Sequence, residues 1–341
     1  MIRLKDIAER AGVSVMTVSK VMRDARDISA PTKAKVRALA TEMGYMPDSN
    51  ARGLRNKSVR IFGLLISSTT NPIFARMLVA IEQRVSELGF ELMLGLTMNS
   101  VEREEQCIRR FLSRRIDGLF IRPVYRMEPS APVYNDLVRL KVATVLLGQA
   151  APFCKDFHSV AIDDIEASQK ATRHLLELGH RRIAFLAGSQ FSPEAQERFE
   201  GYRRALQEAN VAFDERLVFQ AGNTIEEGRA AALEILNELP GFTALQGAND
   251  LVAIGAAGVL LDQGLKIPTD VSVVGFGNVL TAEHFRVPLT TVRQPKFRMG
   301  VAAVESMQTL LAGDTPEPRR LPAEIVIRAS TGPPPKKMRS K

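Results

Sequence analysis

The chain has 341 residues, 45% hydrophobic and 25% charged, the profile of a soluble globular protein with room for two domains and a small third piece. No apolar run approaches the roughly 20 residues that span a bilayer, which excludes a helical membrane protein. Cys107 and Cys154 stand alone with no CxxC spacing, so both are expected as reduced, buried thiols and a disulfide framework is excluded. The opening Met1–Asp6 lacks the apolar stretch of a secretory signal, so a cytoplasmic location is expected.

The formal charge of +8 is unevenly placed. Residues 1–60 hold 13 Lys and Arg against 6 Asp and Glu, a net +7, while residues 61–332 stand at −3 and the last nine at +4. A basic head on a slightly acidic body suits a nucleic-acid-binding module joined to a module with another task. A basic solvated face would account for the charge equally well, so charge alone leaves both open.

In the head, Leu4, Ile7, Ala8 and Ala11 recur as one face of a short helix. Gly12 supplies a tight turn and Ser14 an N-cap for a second helix, whose inward face is Val18, Val21 and Met22. Val15, Met16, Thr17, Ser19 and Lys20 then lie outward or along the rim. Two short helices about a glycine turn form a helix-turn-helix. Ser29 is expected to cap a third helix, with Val36, Leu39, Ala40 and Met43 completing the core and Gly44 ending it. Residues 48–55 could make about two helical turns, too few to be stable alone in water.

From Arg60 onward, strand and helix patterns alternate. Strands are predicted at Val59–Ile66, Glu91–Leu96 and Gly118–Ile121, with helices at Phe74–Leu88 and Glu102–Arg114 and a further helix and strand within 133–147. A second round places strands at Ser159–Ile162, Ile183–Leu186, Leu217–Gln220, Thr243–Leu245 and Val271–Phe276. Its helices are Glu166–Leu178, Glu194–Ala209, Glu226–Leu239 and Leu251–Gln263. Two consecutive α/β lobes with parallel sheets are implied, with ligands favoured at the carboxyl ends of the strands.

No catalytic constellation is visible. There is no GxSxG elbow, no Walker loop and no complete GxGxxG, and Gly275-Phe276-Gly277 is only a fragment. His158, His174, His180 and His284 lack metal-ligand spacing. An enzyme, a resident cofactor and a bound metal are therefore not expected, and His180 is read as structural.

The run Leu4-Lys5-Asp6-Ile7-Ala8-Glu9-Arg10-Ala11-Gly12-Val13-Ser14-Val15-Met16-Thr17-Val18-Ser19-Lys20-Val21 resembles the headpiece of the LacI/GalR family of bacterial transcription regulators. Ser29-Ala30-Pro31-Thr32, Gly44-Tyr45-Met46-Pro47 and Asn50-Ala51-Arg52-Gly53-Leu54 fit the same family in order. The resemblance continues through Leu178–Gly188, Arg198-Phe199-Glu200-Gly201-Tyr202, Asn249-Asp250, Ile267–Phe276 and Pro288–Pro295, covering almost the whole chain. It implies an α/β fold with an N-terminal three-helix helix-turn-helix headpiece and a two-lobed sensor like periplasmic sugar-binding proteins, joined by three crossovers. The corresponding boundaries are 1–47 for the headpiece, 48–59 for a hinge helix and linker, and 60–332 for the sensor. Within the sensor, lobe 1 is about 60–162 plus 293–313 and lobe 2 about 163–289 plus 320–330. Residues 333–341 form a basic tail expected to be disordered.

The resemblance also implies roles. The second helix would enter the major groove, presenting Val15, Met16 and Lys20 to base edges, with Lys20 donating to guanine. Ser14, Thr17, Ser19, Ser29 and Thr32 suit phosphate oxygens. Asn50, Ala51 and Leu54 would sit on a hinge helix that pairs with its copy in a dimer, Leu54 wedging into the minor groove. Two departures are Arg3, where the family often has a Ser or Thr cap, and Lys20, where it often has Arg, which makes a forked contact that Lys does not.

Effector groups are expected at or near strand ends: Ser67, Ser68, Phe74 and Arg122 from the first lobe, and Arg198, Asn249, Asp250 and Asn278 from the second. Where the family usually places an Asp after Gly275-Phe276, this chain has Gly277. The usual Asp-Asn pair is Asp163-Asp164, and the aromatic platform is missing from Gly222-Asn223-Thr224. Losing an acidic acceptor while keeping Arg122 and Arg198 points to a sugar acid or another anionic metabolite. The reading is a homodimeric regulator, taken as a repressor, of a palindromic double-stranded operator, controlled by a sugar or sugar acid. The alternatives are a nucleobase-responsive regulator of the same family or a solute-binding module with no DNA role.

Overall fold

The computed structural model describes residues 2–45, 59–238 and 241–335. The predicted hinge segment with Asn50, Ala51 and Leu54 lies outside the described residues, as do residues 336–341 of the basic tail. The chain divides into two compact units, Met1–Val59 and Arg60–Lys341.

In the first unit, α1 (Leu4–Ala11), α2 (Val15–Met22) and α3 (Ala30–Glu42) close around Ile7, Ala11, Val18, Val21 and Val36. Arg3 does not leave α1 without a start. The Asp6 carboxylate reaches back to accept the Arg3 N–H at 2.8 Å, which is half of a capping box. Gly12 leaves α1 at φ +69°, its N–H returning to the Ala8 and Glu9 carbonyls, a left-handed conformation that costs glycine least. The Ser14 hydroxyl then accepts the Thr17 N–H at 3.0 Å and caps α2. Ser29 stands in the same place before α3 but does not cap it as expected: its hydroxyl bonds the Thr32 hydroxyl at 2.9 Å. Pro31, in the first turn, removes one of the N–H groups that would otherwise need a cap and fixes φ there.

In the second unit, the first lobe runs β1 (Ile61–Ile66), α4 (Ala75–Glu87), β2 (Glu91–Leu96), α5 (Val101–Ser113), β3 (Gly118–Ile121), α6 (Pro132–Arg139), β4 (Ala143–Leu147) and β5 (His158–Ile162). β1 starts two residues later than the sequence suggests, because Arg60 sits at φ +58°. The second lobe runs α7 (Asp164–Glu177), β6 (Ile183–Ala187), α8 (Pro193–Glu208), β7 (Val218–Gln220), α9 (Ile225–Glu238), β8 (Ala244–Gly247) and α10 (Asp250–Asp262). It continues through β9 (Ser272–Gly277), α11 (Leu280–Glu283) and β10 (Thr290–Arg293). The chain then crosses to the first lobe as α12 (Lys296–Leu311) and β11 (Arg319–Leu321), and crosses back as β12 (Glu324–Val326).

Each lobe holds a six-stranded sheet, ordered β11-β5-β4-β3-β1-β2 and β12-β10-β9-β8-β6-β7. Among the described residues all pairings are parallel except β12 against β10. Parallel strands buried on both faces need continuous apolar runs, and Phe62, Leu64, Leu65 and Ile66 of β1 are all buried. In both sheets the strand order reverses around the first strand of the lobe, β1 or β6, so a crevice opens beyond the carboxyl ends.

The return crossover differs from the expected boundary near residue 320. β11 pairs with β5, so the chain stays in the first lobe through Leu321. Arg319–Leu321 alone has no pattern that reveals its partner. The tail differs too. Its Pro334 sits beside Gly179 of the second lobe, just after Gly332, whose carbonyl buried His180 contacts at 2.9 Å. The other His180 ring nitrogen lies 2.9 Å from the Thr243 hydroxyl, the structural role expected of this histidine. Cys154 is buried, whereas Cys107 is half-exposed.

Candidate DNA-reading face and interlobe cleft

On α2 the residues of the predicted reading face divide by exposure. Met16 is 69% and Val15 46% exposed, while Thr17, Ser19 and Lys20 are half-buried beside them. Amphipathic spacing explains this division, since Val18 and Val21 point into the core. Four predicted phosphate contacts are already engaged: the Ser14 hydroxyl bonds that of Thr17, and the Ser29 hydroxyl that of Thr32, each at 2.9 Å. Lys20 is engaged as well, by an ion pair with Asp27 that the sequence reading missed. That pair is exposed, so it adds little stability and gives way readily to a stronger acceptor.

In the second unit, a cavity of about 380 Å³ lies between the lobes, within the range of small-molecule sites. Its lining comes from just beyond strand ends: Ser67 after β1, Arg122 after β3, Asn223 after β7, Asn249 after β8 and Gln294 after β10. Of the predicted effector residues, Ser67, Phe74, Arg122, Arg198, Asn249 and Asp250 line it. Phe74 is also buried in the first lobe's core, so it serves both packing and lining. Ser68 and Asn278 are not among the lining residues. The Ser68 hydroxyl accepts the Thr70 N–H at 3.0 Å, and the Asn278 side-chain oxygen accepts from Arg328 at 2.7 Å.

Both arginines are committed to partners inside the protein. Arg122 forms an ion pair across the cleft with Glu194 in the first turn of α8. Glu194 also accepts from the Tyr125 hydroxyl at 2.7 Å, the Gln149 N–H at 3.1 Å and the Ser192 hydroxyl at 2.9 Å. Burial alone would raise the Glu194 pKa, but the charge and hydrogen bond of Arg122, with that of Tyr125, bring it down to about 2. The lobes are thus joined at a carboxylate that stays ionised.

Arg198 donates to Asp164 at 2.8 Å and to the Ala248 carbonyl at 2.8 Å, and it stacks on Phe276 at 4.0 Å. Burial holds the Asp164 pKa above its usual value against the pull of Arg198. Gly201 makes this pair possible. A Cβ there would sit 2.3 Å from the Ile165 carbonyl oxygen, so only glycine lets α8 lie this close on α7. The Asn249 side-chain oxygen accepts the Val252 N–H at 2.9 Å, which caps α10 and leaves its amide nitrogen for a ligand. Asp250 accepts from the Thr291 hydroxyl at 2.5 Å and the Val279 N–H at 2.8 Å, and burial lifts its pKa to about 6.

This corrects the electrostatic part of the sequence reading. Arg122 and Arg198 do not make the cleft attractive to anions, because Glu194 and Asp164 already neutralise them. Lys296 and Gln294, which the reading passed over, line the cavity as well. Only their place at the end of β10 and the start of α12 could have signalled this.

A three-helix headpiece with a mixed polar and apolar face, linked in sequence to a two-lobed α/β unit with a polar cleft, defines a ligand-responsive DNA-binding protein. Residues 3–48 match the family described as bacterial regulatory proteins, lacI family, and residues 172–331 match the periplasmic binding protein-like domain. The transcriptional regulator DegA of Bacillus subtilis is 31% identical over 330 residues, 96% of this chain and 97% of that protein. A solved lac repressor dimer bound to operator and the anti-inducer ONPF superposes with a TM-score of 0.85 at 27% identity, covering 97% of this chain and 99% of that one. The structure of a complex of the regulator CelR with cellobiose does so with a TM-score of 0.74 at 31% identity, covering 97% and 100%. The chain belongs to the LacI family of bacterial transcription regulators, which are DNA-binding proteins and not enzymes. No helix among the described residues is long and apolar enough to cross a membrane.

Proposed function

We propose that this protein is a cytoplasmic repressor that binds a palindromic operator as a homodimer and is switched by a sugar or sugar acid held between the lobes. The observation that carries the reading is the cavity itself, built from the strand ends of both lobes and crossed by the Arg122–Glu194 pair. A ligand seated there touches both lobes at once, so its affinity depends on how they are set. That difference in affinity is the requirement for coupling to a second site. The operator-bound lac repressor dimer and the cellobiose complex of CelR support the DNA and sugar parts by likeness.

In the headpiece, Val15 and Met16 make apolar contacts in the major groove, and Lys20 exchanges Asp27 for a guanine edge. Ser14, Thr17, Ser19, Ser29 and Thr32 set register on phosphates, and Asn50, Ala51 and Leu54, which lie outside the described residues, contact the minor groove. Lys20→Ala is expected to lose about 1–3 kcal/mol at the specific site and little on random DNA. Equal loss on both, in fluorescence anisotropy titrations, removes its base-reading role. The test of the whole reading is a gel-shift assay with fragments of the source genome, with and without candidate metabolites. A salt-sensitive specific complex that a small molecule strengthens or dissolves is expected. Its absence under every ligand condition defeats the proposal.

A further inference from the structure

Three cationic side chains border the cavity, Arg122, Arg198 and Lys296, and the first two are matched by Glu194 and Asp164. Lys296 has no such match. Among the described residues no carboxylate lies within ion-pair distance of its ammonium, and the acceptor it reaches is the Met299 sulfur at 3.8 Å, a weak one. Burial lowers its pKa to about 7, helped by the Arg122 charge and opposed by Asp164. Two residues earlier, Gln294 is 7% exposed, and among the described residues its side-chain oxygen has no hydrogen-bond partner. Buried polar atoms are rarely left so, and this one borders a cavity. The crossover from β10 to α12 therefore brings an unmatched cation and an unmatched amide to one wall.

We propose that the cleft recognises a singly charged hydroxy acid, its carboxylate on the Lys296 ammonium and a hydroxyl on the Gln294 amide. The proposal rests on the cleft being the effector site. One unmatched cation, in a cavity that also holds Asp250, ionised above about pH 6, fits one negative charge and disfavours a dianionic phosphate. The N-terminal end of α12, where Lys296 stands, adds potential of the same sign. A hydroxyl both donates and accepts, so it satisfies the amide in either orientation.

Binding is then linked to a proton. The groups facing Lys296 are Arg122 beyond β3, Glu194 and Arg198 on α8, and Asp164 on α7, with Asp250 on α10 lining the same cavity. Free Lys296 loses its proton above about pH 7, and a bound carboxylate favours the charged form. Affinity falls as pH rises from 7 to 9, by up to about tenfold per unit, with proton uptake on binding.

The test is calorimetric titration of the full-length protein with D-gluconate, D-glucuronate and D-galacturonate. Each is set against its neutral sugar or polyol, with D-glucose 6-phosphate as the phosphate arm, at pH 7, 8 and 9. At least one acid is expected to bind tenfold or more tightly than its neutral counterpart and the phosphate ester, with weaker binding at pH 9. Lys296→Met abolishes that preference, Lys296→Arg keeps it but loses the pH dependence, and Gln294→Leu weakens the acid in proportion to its hydroxyl contact. Circular dichroism melts establish that each variant folds. A neutral sugar bound as tightly, a preferred phosphate ester, a preference that survives Lys296→Met, pH-independent affinity, or no binding by any acid overturns the proposal. Operator titrations run alongside separate the two readings. A neutral sugar that shifts operator affinity leaves the regulator standing and removes the carboxylate site. An acid that binds through Lys296 without changing operator affinity keeps the carboxylate site and removes the cleft's role as the effector site.

Discussion

Glu104→Leu is expected to destabilise the second unit by about 3–5 kcal/mol, read by urea unfolding of the full-length protein. Glu104 on α5 has no exposed surface. It accepts from the Val124 N–H at 2.7 Å and the Tyr134 hydroxyl at 2.9 Å, and it pairs with Arg126, itself only 7% exposed. Leucine replaces the carboxylate with a side chain of similar bulk but leaves the guanidinium without its ion-pair partner, with the more distant Glu102 and Glu128 of opposite charge. Part of the loss comes from that stranded charge, so Glu104→Leu with Arg126→Met recovers that part, while the Val124 N–H and the Tyr134 hydroxyl stay without their acceptor. A single-variant loss below about 1 kcal/mol, or no recovery in the double variant, refutes this account. The pair also fixes Pro123–Tyr125, which lines the cleft, so ligand affinity is expected to fall with stability.

The second large effect is a pH dependence centred on Glu194. Its pKa of about 2 lies below the ordinary 4.5, so the folded state favours the ionised form. The stabilisation is present in full above pH 4.5 and is lost as pH falls from there toward 2. A shift of this size corresponds to about 3 kcal/mol by linkage. Glu194→Gln removes that component and leaves Arg122 without its partner across the cleft. The variant is therefore expected to be less stable at pH 7 and to lose less than the parent on acidification. Parallel unfolding curves for the two proteins between pH 5 and 3 would show that Glu194 does not hold the lobes in this way.

Much of the site was legible because its placement is local. A ligand group in a doubly wound sheet lies just beyond a strand end, so Ser67, Arg122 and Asn249 could be located once the strands were. Asn278 follows β9 by the same rule, yet Arg328 from the last crossover ties up its oxygen. Arg122 shows the other limit. Its position was readable, but its partner lies 72 residues away on another lobe.

What the sequence alone determined follows from short-range chemistry. The spacing of Ile7, Ala11, Val18 and Val21 specifies a helix-turn-helix, Gly12 and Ser14 punctuate it, and alternating strand and helix patterns specify two lobes. Family likeness supplied the task. Only the tertiary structure decided the charge of the cleft, because a cation's availability depends on every neighbour brought to it. Glu194 and Asp164 consume Arg122 and Arg198, and Lys296 is the cation left over. The same reason governs β11, whose three residues acquire a lobe only through pairing with β5.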